Sequence, residues 1–186
     1  MKKTLFVKIS GKPILDFVNT RVQHADSVEE KIDSSKSAEA FFGDVFKNKL
    51  KFNRQDHECL LARRQDLRKL FRAISRPKSQ LDLISTWPLN QTMLFNLKLG
   101  QQSRSKVNPI KIEYQLLKQS ASDVILFNNT IDFLKDCDPH RLKKCKSATC
   151  SHLFYDESKS NTRIWCSMKS CGNLAKVRKF RAFSKS

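Results

Sequence analysis

A chain of 186 residues can bury one ordinary apolar core and carry a small appended module, and little more. Its 36 Lys and Arg against 18 Asp and Glu give a formal net charge of +18, which disfavours basic partners and favours a polyanion. No segment approaches the ~20 consecutive apolar residues of a membrane-spanning helix, so the expectation is a protein with no membrane partner. Met1-Lys2-Lys3 and Thr4 to Val7 begin as a secretory leader does, but Lys8 and Gly11-Lys12-Pro13 cut the apolar run short. A cytoplasmic location is therefore expected, where cysteines serve as thiols and metal ligands rather than disulfides.

In chain order, Leu5, Val7 and Ile9 alternate with Phe6, Lys8 and Ser10, Gly11-Lys12-Pro13 makes a turn, and Ile14 to Val18 resumes an extended run; together they predict a hairpin. Ser37 to Phe46 suits a short helix. From Phe52 to Ile74, Phe52, Cys59, Leu60, Leu67, Leu70, Phe71 and Ile74 recur at helical spacing, with Arg63, Arg64, Arg68 and Arg72 elsewhere, which predicts the longest helix. Leu81 to Trp87 reads as a short helix ending at Pro88, Met93 to Leu99 as a strand, Gly100 to Ser105 as a turn, and Lys106 to Asn108 as a strand or loop. Ile110 to Phe127 and Ile131 to Cys137 return to helical spacing, and Asp138-Pro139 marks a boundary.

Beyond that boundary, Cys145, Cys150, Cys166 and Cys171 are spaced C-x4-C-x15-C-x4-C within the last 46 residues. Two short-loop pairs separated by enough chain for a β-hairpin are what tetrahedral Zn²⁺ requires. Leu142 to Cys145 and Leu153 to Tyr155 are expected as strands around the first knuckle, Asp156 to Asn161 as a turn, Arg163 to Trp165 as a third strand, and the segment after Cys166 as a helix to about Phe183. Gly172, directly after Cys171, leaves room for backbone to approach the thiolates. A module this small cannot fold on apolar burial, so metal must supply of order 10 kcal/mol. The implied architecture is α+β: a mainly helical domain with a small hairpin or sheet over residues 1–138, then a treble-clef-like zinc finger over residues 139–186.

The arrangement in which Trp165-Cys166-Ser167-Met168 leads into Cys171-Gly172-Asn173 and a basic helical run resembles the CGNR zinc-finger family. Leu15-Asp16-Phe17-Val18-Asn19-Thr20 resembles the signature of ABATE, a domain that accompanies this finger and is associated with stress-induced transcription regulation. The resemblance implies a DNA-binding transcription regulator whose N-terminal domain senses a small-molecule effector or forms a homodimer. One departure is plain: the family tetrapeptide ends in arginine, and this chain has Leu174.

Charge supports the same partner. Residues 141–186 hold twelve Lys or Arg against Asp156 and Glu157, a density suited to nucleic acid, double-stranded DNA first. Arg163, Lys169, Lys176, Arg178, Lys179 and Arg181 are the candidate contacts. On the terminal helix Leu174, Val177, Phe180 and Phe183 make one stripe, while Ala175, Arg178, Lys179 and Ala182 lie on the other side, where small alanines let backbone approach a phosphate groove. The alternative is an RNA- or protein-interaction module in which the finger is structural and the charges only solvate the face.

Asp16, Asn19 and Thr20 interrupt an apolar run; they either cap the next element or line a ligand pocket. His152 lies between the cysteine pairs, but four thiolates already complete a tetrahedron, so a hydrogen-bonding or a surface histidine is expected. Cys137 is expected to be a buried thiol. Only Gly11, Gly43, Gly100 and Gly172 are present, so no phosphate-cradling loop forms, and no carboxylate pair sits in a recognisable motif; the reading is a binding protein, not an enzyme.

Overall fold

The computed structural model describes residues 6, 10–23, 27–75, 87–89, 93–99, 110–116 and 120–184. The chain opens with helix α1 (Pro13–Val18), then strands β1 (Arg21–Gln23) and β2 (Val28–Glu30), which pair antiparallel with Val22 opposite Glu29. Helix α2 (Ser35–Phe41) runs into a π turn, Phe42–Phe46, and the long helix α3 (Arg54–Ile74) follows. Strands β3 (Trp87–Leu89), β4 (Met93–Leu99) and β5 (Ile110–Leu116) form an antiparallel sheet in chain order. Helix α4 (Ala121–Lys135) leads through a 3-10 turn, Pro139–Arg141, into the hairpin of β6 (Leu142–Lys144) and β7 (Leu153–Tyr155). A π turn, Met168–Gly172, then hands over to the terminal helix α5 (Asn173–Phe183).

The helices start where the chain supplies caps. Ser34 with Ser37, Asn53 with Asp56, and Ser120 with Asp123 each form a reciprocal box in which both side chains satisfy otherwise orphan backbone N–H groups at α2, α3 and α4. Each is worth about 1 kcal/mol. The mixed α+β class and the strand over Met93–Leu99 agree with the sequence reading, and the long helix lies within one or two residues of its expected span.

Three expectations are corrected. Ile14–Val18 is helix rather than strand: Pro13 sits at its first position, where a missing N–H costs nothing, and Ile14, Leu15, Asp16, Phe17 and Val18 are all buried. A central helix buried on every side is apolar all round and mimics a buried strand in sequence. Ile110–Leu116 is strand, paired with β4 from Met93↔Leu116 to Leu99↔Ile110, and helix begins only at Ala121 and then runs unbroken through Ile131. Trp87–Leu89 is strand, paired with Phe95 to Met93. The readings of Leu5, Val7 and Ile9, of residues 81–86, and of residues 100–108 lie outside the described residues.

The core centres on α1, which lies against α3, α4 and β7. Phe17, Phe41, Phe42, Phe46 and Phe52 interlock beside it, with Phe42 centroids 4.9 Å from Phe46 and 5.2 Å from Phe52. Edge-to-face contacts between rings add stabilisation beyond the area they bury. The same apolar cluster continues past Asp138: Leu142 and Leu153 belong to it, and Tyr155 meets Phe133 edge-on at 5.6 Å, which in turn meets Phe71 at 5.4 Å.

Three arginines of α3 turn inward: Arg63 and Arg64 are buried and Arg68 is partly buried, while Arg54 and Arg72 are exposed. Arg63 pairs with Asp123, its Nη2 donating to Oδ2 at 2.8 Å, and so ties α3 to the first turn of α4. Arg64 is buried and donates to both oxygens of Glu30 and to Thr20 Oγ1. Arg68 donates to four oxygens on three segments: the carbonyls of Val18 and Arg21, and the carbonyl and hydroxyl of Ser151. Burial, with Arg72, Arg64 and Arg21 nearby, lowers its pKa to about 10, so it stays charged at neutral pH.

Candidate metal centre and the helix that leaves it

Cys145 follows β6 directly, Cys150 sits in the β6–β7 loop, Cys166 precedes the π turn and Cys171 lies within it, so two short loops present four thiols to one point. The four sulfurs all lie within 4.8 Å of one another, with Cys150 to Cys166 at 3.8 Å and Cys166 to Cys171 at 3.6 Å. A tetrahedron with Zn–S bonds of about 2.3 Å has edges of about 3.8 Å, so the donor set fits zinc in both chemistry and size. Cys145, Cys150 and Cys166 are buried and Cys171 is half-buried, with Phe154 and Trp165 packed against them.

Clustered thiols cannot all ionise without a cation. Hydrogen bonds from Cys150 and Cys166 lower the pKa of Cys145, while the same contacts to Cys145 push Cys150 up to about 12 and Cys166 far above the thiol range. A divalent ion would allow all four to be thiolates. Part of its outer shell is built: Cys166 N–H points at Cys145 Sγ at 3.5 Å, and His152 Nδ1 lies 3.2 Å from Cys150 Sγ. Of the two roles expected for His152 the structure has the hydrogen-bonding one, since the ring is buried rather than at the surface, while Cys137 is a buried thiol whose pKa burial raises to about 12.

The loop between β7 and the second cysteine pair is clipped by one buried carboxylate. Asp156 is fully buried, and it accepts from Lys143 Nζ at 2.7 Å, from Ser158 N and Oγ at 3.0 and 2.6 Å, and from Arg163 N at 2.9 Å. Burial alone would raise its pKa, but the bonds from Lys143, Ser158 and Arg163 together outweigh that and hold it well below the usual carboxylate range. Lys143 also donates to the carbonyls of Asn161 and Arg163. No third strand forms over Arg163–Trp165: Arg163 gives its N–H to Asp156, and Lys146 N–H to Ile164 O at 3.0 Å is the sheet-like bond that remains.

The candidate nucleic-acid residues divide into two groups. Arg163 is half-buried, with its guanidinium 4.6 Å over the Phe154 ring and donating to the carbonyls of Trp165 and Cys166, so it braces the second knuckle. Lys169, Lys176, Arg178, Lys179 and Arg181 are all exposed, and α5 buries no residue at all. Leu174 and Val177 are about half exposed, whereas Phe180 and Phe183 are 72% and 71% exposed. A Cβ on Gly172 would meet the Met168 sulfur at 2.7 Å and Trp165 at 3.3 Å, so what that glycine admits is the Met168 side chain rather than a closer thiolate.

Asp16, Asn19 and Thr20 are committed to the fold. Asp16 accepts from Ser10 N and Oγ, Thr20 Oγ1 donates to Phe17 O and accepts from Arg64, and Asn19 bonds both backbone groups of Leu153. The cavity they share with His152 measures about 10 Å³, the scale of a single water. A larger hollow of about 240 Å³ lies elsewhere, among Lys12, Asn129, Asp132, Phe133, Asp136 and Tyr155. Sequence reasoning missed Arg68 and Ser151, which join α3 to the first knuckle, although Arg68 stood in view among the arginines of that helix.

Among the described residues no helix is long and apolar enough to cross a membrane. Residues 141–182 match the CGNR zinc finger family, a match that covers both cysteine pairs and nearly all of α5 and does not extend to residues 1–140. Comparison with curated proteins finds no match.

Proposed function

We propose that this protein is a zinc-dependent DNA-binding protein of the transcription-regulator type, in which residues 1–138 act as an ABATE-like regulatory unit and the finger engages DNA through α5. One observation carries the reading: directly after Cys171-Gly172 the chain emerges as a helix with no buried residue, and from Ser158 to Ser186 it contains eight Lys or Arg and no Asp or Glu. A structural finger would be expected to bury part of its helix. This one holds its helix outward as a cationic rod, a geometry suited to phosphates. Zinc would fix the first turn of that rod and take no part in chemistry; the protein is read as a binder in the cytoplasm, not an enzyme.

The test is anisotropy of a labelled 20-base-pair duplex at several salt concentrations. Affinity should fall with a log–log slope of about −0.9 per phosphate contact. Arg178→Glu with Lys179→Glu should weaken binding at least ~10-fold and flatten the slope, with zinc content unchanged. The same reversal at Lys36 and Lys49, exposed on the N-terminal part, should have a much smaller effect. Equal losses from the two pairs would replace a defined site with diffuse attraction. One further observation, the exposed rings of α5, bears on which nucleic acid is taken.

A further inference from the structure

The aromatic side chains of α5 are placed as no stability argument requires. At 100° per residue, Phe183, Lys176 and Phe180 fall in that order within about 60° of the helix circumference; past Asn173, which takes the adjoining ~60°, Val177, Arg181 and Leu174 span a further ~60° in the same alternation. Viewed down the axis each apolar pair therefore brackets a cation, which stands about one turn (~6 Å) along the helix from the nearer member of the pair. The remaining arc holds Arg178, Ala182, Ala175 and Lys179, the small-residue face suited to a duplex backbone. Phe180 and Phe183 are one turn apart, both more than two-thirds exposed, and Lys179 Nζ lies 5.8 Å from the centre of the Phe183 ring.

This interleaving discriminates among occupants. An amphipathic helix that lies in a lipid surface needs a continuous apolar face with its charges on the other side, and here Lys176 and Arg181 stand inside the apolar arc. A second copy of the chain would bring eight more cations against these eight, with no acidic side chain in residues 158–186 to offset them. A strand of unpaired nucleotides satisfies both components at once, since its phosphates meet the cations that flank the rings, Lys176 a turn below and Lys179 beside Phe183, while its bases offer flat faces to the rings themselves. Duplex DNA meets only the cations, because its base faces are stacked inside.

Resting on the nucleic-acid reading above, we propose that the Phe180–Phe183 face of α5 is a stacking platform for unpaired bases, so that the protein prefers single-stranded nucleic acid, or a melted or looped segment, over continuous duplex. Because α5 buries nothing, substitutions at these positions leave the fold and the metal centre intact.

The experiment measures anisotropy of fluorescein-labelled dT15 and of a labelled 15-base-pair duplex, with the zinc-loaded full chain at two salt concentrations. Wild type should bind dT15 more tightly. Phe180→Ala with Phe183→Ala should weaken dT15 at least ~30-fold while changing duplex affinity less than ~3-fold, given the loss of two stacked bases. Phe180→Leu with Phe183→Leu keeps apolar bulk without an aromatic face, and should behave like the alanine pair. Full retention of dT15 binding by the leucine pair would overturn stacking in favour of generic apolar docking, as would tighter binding to phosphatidylserine vesicles than to dT15. Equal losses on strand and duplex would also overturn it. If the Phe variants change nothing while Arg178→Glu with Lys179→Glu abolishes duplex binding, the platform falls and the nucleic-acid reading stands. If wild type binds neither probe, both fall.

Discussion

The side-chain amide of Asn19 holds the backbone of Leu153 by both of its groups: Nδ2 donates to the Leu153 carbonyl at 2.7 Å, and Oδ1 accepts the Leu153 N–H at 3.0 Å. One side chain in the turn after α1 thereby does for β7 what a neighbouring strand would do. Asn19→Ala should cost about 2–4 kcal/mol, because two buried backbone groups lose their partner. Asn19→Asp should cost more, since a carboxylate has no N–H for the carbonyl. Urea denaturation checks this, and a loss below about 0.5 kcal/mol would show the amide to be dispensable.

Around that clamp, Arg68 and the Gln23 N–H bind Ser151, and Tyr155 packs on Phe133. Metal removal should therefore be felt beyond the finger. Chelation is expected to lower the thermal midpoint of the whole helical circular-dichroism signal, in one transition, although the finger contributes only part of the helix. A large helical fraction melting at its original temperature would show instead that residues 1–138 stand alone.

Arg68→Lys should not rescue Arg68→Ala. A planar fork reaches Val18, Arg21 and Ser151 together, whereas an ammonium on a single stem cannot span all three. Both variants should lose about 2–4 kcal/mol, with the alanine variant also leaving buried carbonyls unpaired. Stability of lysine within about 1 kcal/mol of wild type would mean that charge, not geometry, matters there.

Asp156 gives a pH dependence with a defined sign. Its pKa is lower in the folded chain than the ~3.9 of a free carboxyl, so its stabilisation is fully present above about pH 4 and fades as pH falls toward the folded value. Asp156→Asn should be about 2–4 kcal/mol less stable at pH 7, since Lys143 loses its buried partner, and the gap to wild type should narrow below pH 4. Comparing the two proteins at each pH cancels the acid release of metal that both share. A gap that stays constant down to pH 2 would contradict the ion-pair account.

His152→Ala should keep the fold and weaken zinc about 10- to 100-fold in a chelator competition, the cost of losing one outer-shell donor to a ligand. Unchanged affinity would show that the imidazole serves packing alone.

The cysteine cluster was legible in the sequence because a metal site is written locally: two pairs, each closed by a short loop, need only one long-range meeting. The strand at Ile110–Leu116 was obscured because Ile110, Tyr114 and Leu117 also fit a helical face, although Ile110, Ile112, Tyr114 and Leu116 alternate strictly. Helix α3 was found from its apolar residues while its arginines were read as bystanders. Yet Arg63 and Leu70, like Arg64 and Phe71, are seven apart and share a face, so the same period that placed the core also placed those guanidiniums beside it. What could not be read was their partners: Glu30, Asp123 and Ser151 lie 34 to 83 residues away, and nothing in the local pattern names them.

Since α5 contributes no buried side chain, foldability ends, in effect, at Gly172. Mutations upstream are filtered by whether the chain still folds and holds metal, while those in the last turns are filtered only by what the rod touches. Two such chains could share every core contact and still recognise different partners, so this helix is where diversification would run fastest and where stability assays would see least.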